Sequence, residues 1–347
     1  RHSGHQWDVI TGKPVLWKWR SRSATLDLAI KTQRWLSQHP LPDVVFASDM
    51  LDRPGWRGMF RNSPIAGLPA VVYFHESQWT YPLSAAARPD FHFGYTNLLT
   101  AFAADACWFN SEFHREEFLT ASQAFVRRMP DSQAAHDFER LASQCVVLPP
   151  GFDPPSTLPP TLPLHAPDHC DIRVGWVSRW EHDKRPDRLL SILQQLDRTG
   201  VGFQLVLAGP RPQTPHAALA KIRTQYGDRI LDDRYATSRE DYWRMLESMD
   251  VVISTAEHEF FGIAVCEAIW AGAVPVLPRR LSYPELVTTD SLYDSTEHAA
   301  RLIARAANPH HRRESQQSNR QRIANLRMQV TVPRIDRALR PHVQQLD

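Results

Sequence analysis

Residues 254–275 read STAEHEFFGIAVCEAIWAGAVP, and the fold follows from how this stretch is parsed. The residues just before it, Asp250-Val251-Val252-Ile253, are short, β-branched and apolar, the pattern of a buried parallel strand. Residues 263–271 read as a helix with Ala264, Ala268 and Ala271 on its apolar face. Gly262 therefore stands where a strand hands over to a helix N-terminus. Backbone N–H groups at Phe261, Gly262 and Ile263, with the helix dipole behind them, favour a phosphate there. Glu259 lies in the loop, within reach of sugar hydroxyls. Glu267 lies one turn inside the helix and offers a carboxylate to a ribose diol. The plainer alternative is a strand–turn–helix unit with two solvated glutamates.

Moving outward, residues 172–177 read as another strand, followed by a loop that carries Arg179 and Lys184 and a helix from Pro186. A cation pair after a strand suits a diphosphate leaving group, because charge builds on it as its bond breaks. Surface cations are the alternative. Residues 203–208 form a strand that ends in a turn at Gly209. A short strand at 229–231 leads to Tyr235 and to a helix capped by Ser238. Residues 273–276 read as a further strand, and from Ser295 the chain reads as helical.

Residues 149–167 hold eight prolines and one glycine, which reads as a stiff, extended linker. The expected layout is a domain at 1–150, a linker at 151–170, a second domain at 171–325 and a C-terminal helix within 326–347. In the first domain, a strand at 43–47 presents Asp49 and a strand at 70–74 presents His75 and Glu76. Ligands bind beyond the carboxyl ends of parallel strands, so these side chains face a cleft. His75 can orient a sugar or acceptor and shuttle a proton, or serve as a structural imidazole. Asp49 is a candidate partner for an acceptor hydroxyl, and Glu76 stands beside them on the acceptor side.

The run Trp17-Lys18-Trp19-Arg20-Ser21-Arg22 interleaves aromatics with cations, the logic of binding an RNA loop. A tryptophan pair packed under a loop is the alternative. Residues 5–11 read as a strand after a turn at Gly4. Ser23 reads as the cap of a helix to Gln38, with Leu26, Ala29, Ile30 and Leu36 inward. Arg127 and Arg128 fall in an amphipathic region that meets either an RNA backbone or water.

The chain has 347 residues, room for two cores. Apolar content is 42% and formal net charge is +2, so this is not a globally basic nucleic-acid binder. No apolar run approaches the roughly 18 residues of a membrane span, and no secretory signal is visible. The four cysteines, Cys107, Cys145, Cys170 and Cys266, are scattered without a CxxC pair, which argues for a reduced cytoplasmic protein without structural zinc. Residues 301–347 carry ten arginines against three acids, which fits a phosphate-rich partner or a solvated helix face.

Two glutamates eight apart around Phe-Gly, with WVSRWEHDK at 176–184, resemble the signatures of retaining glycosyltransferases of the GT-B fold. Longer strings sharpen this: FASDMLD (46–52), YFHESQWTYP (73–82), FGYTNLLTAFAADACWFNSEFH (93–114) and RRLSYPEL (279–286). Together they resemble the tRNA-queuosine mannosyltransferases, from about Gly4 to Glu285. The resemblance implies two Rossmann-like α/β domains with parallel sheets facing across a cleft, and a final helix, 335–345, that returns to the first domain. It implies transfer of mannose from GDP-mannose to the queuosine nucleoside of a tRNA of the tRNA-Asp type, with tRNA and a nucleotide sugar as partners and no membrane. Arg179 and Lys184 would hold the diphosphate, Glu259 the sugar, Glu267 the ribose, and His75 and Asp49 the acceptor, with the Gly209 turn near the nucleotide, Tyr235 against the base and no metal required. In that family a first strand, Gly-rich loop and helix would precede the present Arg1. Other acceptors (a lipid, a glycan, a small molecule) and a non-catalytic tRNA-binding relative remain the alternatives.

Overall fold

The computed structural model describes residues 2–13, 17–82, 90–130, 137–156, 171–210 and 216–343, without the side chains of residues 17, 18, 20 and 21. The chain forms two compact units, Arg1–Pro149 with Gln329–Asp347, and Pro150–Met328.

The first unit begins with helix α1 (Trp17–Leu36), followed by β1 (Val45–Ser48), α2 (Arg53–Met59), β2 (Ala70–Phe74), α3 (Phe91–Phe102), β3 (Ala106–Phe109), α4 (Glu112–Val126), α5 (Phe138–Ser143) and β4 (Cys145–Val147). The four strands pair in parallel in the order β1-β2-β3-β4. β2 and β3 are buried at every position, as strands covered on both faces must be. One face packs Val72, Phe74, Cys107 and Phe109 against the helices α2 to α5. The other packs Val71, Tyr73, Ala106 and Trp108 under Leu339 of the C-terminal helix. Asp90 caps α3 by accepting from His92 N at 3.1 Å, and Ser111 caps α4 by accepting from His114 N at 3.1 Å.

Three local expectations change in this unit. Residues 6–13 pair with no strand among the described residues; a pattern of alternating residues becomes a strand only where a neighbour takes up its N–H and C=O groups. α1 starts at Trp17, not at a Ser23 cap, because no glycine or proline interrupts residues 17–23. Its buried face is Thr25, Ala29 and Thr32, while Leu26 and Ile30 are exposed. Thr32 enters that face without penalty because its hydroxyl donates to the Leu28 carbonyl at 2.8 Å.

The second unit holds β5 (Ile172–Val177), α6 (Pro186–Asp197), β6 (Phe203–Ala208), α7 (Ala217–Tyr226), β7 (Ile230–Arg234), α8 (Arg239–Glu247), β8 (Val251–Ile253), α9 (Ile263–Ala271), β9 (Val274–Pro278), α10 (Tyr283–Leu286), β10 (Leu292–Tyr293), α11 (Thr296–Ala306) and α12 (Pro309–Ile323). Its sheet is parallel throughout, in the order β10-β9-β8-β5-β6-β7. Val174, Trp176, Leu205, Leu207 and Ile253 face one core with α6, α7 and α11. Val206, Ala208, Val252 and Leu277 face the other with α8, α9 and α12. α9 is buried from Val265 to Ala271, so its apolar surface runs all round rather than along one alanine face. Phe152, placed in the linker by proline count, is buried against Trp270 at 5.8 Å between ring centroids. The rest of that linker, 157–170, lies outside the described residues, as does Cys170. The last helix, α13 (Met328–Val343), carries the chain back into the first unit. No helix among the described residues is long and apolar enough to cross a membrane.

Candidate functional site

In the second unit, the strand order turns back between β5 and β8. Loops leaving the carboxyl ends of strands at such a point splay apart and leave room for a ligand. Those two loops, 178–185 and 254–262, carry Arg179, Lys184, Glu259 and Gly262. They are stitched together. Thr255 Oγ1 donates to the Lys184 carbonyl at 2.6 Å and receives the Trp176 indole N–H at 3.1 Å. Glu257 N donates to the Asp183 carbonyl at 2.8 Å.

Lys184 is buried apart from its tip. Its Nζ donates to the His258 carbonyl at 2.8 Å and lies 3.2 Å from Asp183 and 3.4 Å from Glu259 Oε2. Asp183 is buried to 1% exposure, which a carboxylate tolerates beside a cation. Burial, and then the Lys184 charge, lower the His258 pKa to about 4, so its imidazole is neutral near pH 7. Arg179 stands outward on the same loop, half exposed, 4.0 Å from Glu181.

The helix α9 starts at Ile263 with no side-chain cap, on Gly262 in the left-handed region at φ 95°. Phe261 N points to Glu259 Oε1 at 3.5 Å, a marginal bond. The loop is held from beneath: Ser282 Oγ donates to the Phe261 carbonyl at 3.1 Å, Tyr293 OH to the Ser254 carbonyl at 2.8 Å, and Ser254 Oγ meets Tyr283 OH at 2.6 Å. A glycine is required at 262 by its φ and by space, since a Cβ there would lie 3.2 Å from the Tyr283 ring. At Gly209, at the end of β6, a Cβ would collide with the Ser178 carbonyl, so the two neighbouring loops approach closely only with glycine.

Glu267 is not the solvated carboxylate of the plainer reading. It is 5% exposed, and each oxygen already takes a donor: Oε1 from Arg239 at 2.7 Å and Oε2 from Tyr242 OH at 2.8 Å. Burial, with the adjacent Glu267 charge, pushes the Tyr242 phenol well above its usual range, so it remains a donor. One lone pair per oxygen is left for further hydroxyls. Arg239 also donates to the Asp153 carbonyl at 3.2 Å and lies over the Tyr242 and Trp243 rings. Arg239, Tyr242 and Asp183 are absent from the sequence-based set. Arg239 and Tyr242 sit three apart on a different helix from Glu267, and that contact leaves no pattern in the sequence. Tyr235 follows β7 and is 66% exposed.

In the first unit, Asp49, His75 and Glu76 meet at the carboxyl ends of β1 and β2. His75 is exposed, and partial desolvation lowers its pKa from the usual imidazole value. Its turn is fixed: Asn110 Nδ2 donates to the His75 carbonyl at 2.9 Å, and Glu76 N donates to Asp49 Oδ2 at 3.3 Å. Asp49 is therefore not an outward-facing acceptor partner. It is 4% exposed, its backbone carbonyl is held by Asn97 Nδ2 at 2.7 Å, and burial raises its pKa to about 7. Its carboxylate braces the His75 turn. Asn110 braces the same turn through its bond to the His75 carbonyl.

Of the RNA-facing set, Trp17, Lys18, Trp19, Arg20 and Arg22 lie in the first turns of α1. Trp19 is 70% exposed, and Arg22 pairs with Asp90 at 3.0 Å over the Phe93 ring; the side chains of Trp17, Lys18 and Arg20 lie outside the described ones. Arg127 and Arg128 are exposed at the end of α4.

Residues 1–152 match the family described as tRNA-queuosine alpha-mannosyltransferase N-terminal, and residues 165–322 match Glycosyl transferases group 1. A tRNA-queuosine alpha-mannosyltransferase of Drosophila melanogaster is 33% identical over 285 residues, covering 81% of this chain and 74% of that protein. A GDP-mannose-dependent alpha-(1-6)-phosphatidylinositol dimannoside mannosyltransferase of Mycobacterium tuberculosis is 28% identical over 191 residues, 52% of this chain and 49% of that protein. Among solved structures, sucrose-phosphate synthase of Thermosynechococcus elongatus superposes with a TM-score of 0.69 at 17% identity, over 98% of this chain and 87% of that one. The two parallel-sheet α/β units are thus those of the GT-B glycosyltransferases.

Proposed function

The chain belongs to the tRNA-queuosine alpha-mannosyltransferase family of hexosyltransferases, and from that premise we propose that it transfers mannose from GDP-mannose to the queuosine nucleoside of a tRNA of the tRNA-Asp type, with retention. The observation that carries this reading is the pairing of Lys184 with Glu259 where the strand order of the second unit turns back. Support for GDP-mannose as donor comes from the GDP-mannose dependence named for the mycobacterial relative.

In this reading the donor diphosphate competes with Glu259 for Lys184. Its two negative charges displace the single carboxylate, and Glu259 turns to the mannose hydroxyls. Arg179 and the uncapped start of α9 share the diphosphate charge. Glu267, held by Arg239 and Tyr242, accepts the ribose hydroxyls through its remaining lone pairs. The bond from the anomeric carbon to the diphosphate oxygen breaks, the bond to the acceptor oxygen forms on the same face, and the acceptor proton passes to the departing phosphate oxygen. His75 orients the acceptor hydroxyl. Protein cations carry the leaving-group charge, so the reading calls for no divalent ion.

The test is incubation with GDP-mannose and queuosine-containing tRNA, followed by mass analysis of the nucleosides. A gain of one hexose on queuosine is expected, and none on tRNA that lacks queuosine. Transfer to a lipid or to a free glycan instead would replace the acceptor. Binding of tRNA with no response to any sugar nucleotide would replace catalysis by binding.

A further inference from the structure

Two strings of the first unit, QWTYP at 78–82 and FGYTN at 93–97 on α3, have no role in the chemistry above, yet they meet in space. Gly94 on α3 is buried, and a Cβ there would lie 2.5 Å from the Trp79 indole, so the indole lies flat on the helix. The Trp79 indole N–H donates to Ser122 Oγ on α4 at 2.8 Å. Phe125 packs on Trp79 with centroids 4.6 Å apart, and Phe91 and Tyr95 pack on Phe125 at 5.3 and 6.1 Å. The Arg128 guanidinium lies 5.3 Å from the Phe91 centroid and 5.9 Å from that of Phe125.

A packing cluster would bury its rings. Here Phe91 is 43% and Tyr95 39% exposed, while Trp79 below them is anchored. Cations stand at the C-terminal end of α4, while Glu117 of the same helix lies against Ser77 and Thr80. Arg127 and Arg128 are exposed, the one acid at the start of α3, Asp90, is bound to Arg22, and Glu112 and Glu116 of α4 both pair with Arg115. Partly exposed rings beside guanidinium groups suit unpaired bases with their phosphates. The cluster is also tied to the chemistry, since Trp79 lies four residues from His75 along one braced turn.

We infer that Phe91, Tyr95, Phe125 and Arg128 form a stacking platform for unpaired bases of an RNA loop, beside the place where the acceptor nucleoside is presented. The inference rests on the reading that tRNA is the acceptor.

The experiment measures the affinity of the full chain for a labelled RNA hairpin with an unpaired loop, and for a blunt duplex of the same stem. Tyr95→Ala and Phe91→Ala weaken hairpin binding by about tenfold each, a stacked base's worth, and Tyr95→Phe restores it. Arg128→Ala weakens it as well. The duplex binds more weakly to every form. Unchanged melting temperatures exclude loss of fold as the cause. Equal hairpin affinity in the wild type and in the Phe91→Ala/Tyr95→Ala double variant overturns the platform. So does a wild-type dimer that this double variant converts to monomer with RNA binding intact, which would make the patch a self-association face. The two readings fail separately. Mannose transfer to queuosine tRNA with an unchanged KM in the double variant keeps the enzyme and removes the platform. Loss of hairpin binding in variants of a chain that transfers no mannose keeps the platform and removes the proposed reaction.

Discussion

The Lys184 ammonium lies 3.4 Å from a carboxylate oxygen of Glu259, two residues drawn from loops 75 positions apart. Lys184 is shared between Glu259 and the buried Asp183. Under the proposed reading, an incoming diphosphate would exchange with Glu259, and donor binding would be an ion exchange that ties the diphosphate and sugar subsites together.

Lys184→Ala is expected to lower kcat/KM for the donor by about a hundredfold to a thousandfold, the usual cost of losing one charge-stabilising group. It also strands Asp183, buried at 1% exposure, and so lowers the melting temperature. The double variant Lys184→Ala/Asp183→Asn separates the two effects: it recovers stability and not turnover. Wild-type kcat/KM in both variants would remove Lys184 from the site.

Tyr242→Phe removes one donor from Glu267 and leaves Arg239 in place. If Glu267 holds the donor ribose, the freed carboxylate oxygen is less well aimed, and the donor KM rises by about tenfold, a charge-assisted hydrogen bond's worth. The KM for tRNA stays as it was. A rise in the tRNA KM alone would place Glu267 with the acceptor.

Gly262→Ala forces a side chain into the left-handed region and against the Tyr283 ring. The cost is on the order of 1–2 kcal/mol from the backbone alone. Thermal unfolding should fall by several degrees, and donor affinity should fall with it, because the start of α9 must shift. A fully stable variant with weakened donor binding would separate the helix start from the packing beneath it.

Asp49 gives a pH signature. Its folded pKa, about 7, lies above its unfolded value of 3.8, because burial penalises the charged form. Between about pH 4 and 7 the folded state therefore binds more protons than the unfolded state, and stability falls as pH rises through that window. Asp49→Asn keeps an oxygen for Glu76 N and cannot ionise. Its melting temperature should vary less over that range and exceed the wild type's at pH 8. Parallel curves for the two proteins would show that Asp49 does not titrate there.

The strands and most helices were legible because a parallel sheet covered on both faces demands short apolar runs, and 172–177, 203–208 and 251–253 are such runs. Caps were legible where one side chain acts on its own helix, as at Ser238. The face of α1 was not. Two threonines lie inward and Leu26 and Ile30 outward, since a hydroxyl that bonds its own helix can be buried while leucine is tolerated at the surface.

The sequence by itself determined most of the elements, their parallel class, and the loops that carry Arg179, Lys184, Glu259, His75 and Glu76, because periodicity, turn residues and charge are local properties. Only the tertiary structure decided what each charge is paired with. It set Lys184 against Glu259 and Asp183, clamped Glu267 with Arg239 and Tyr242, sank Asp49 beneath the His75 turn, and laid Trp79 on Gly94. All but the Lys184–Asp183 contact join residues well separated in the chain, and a buried charge takes its state from whatever the fold brings within a few ångströms of it.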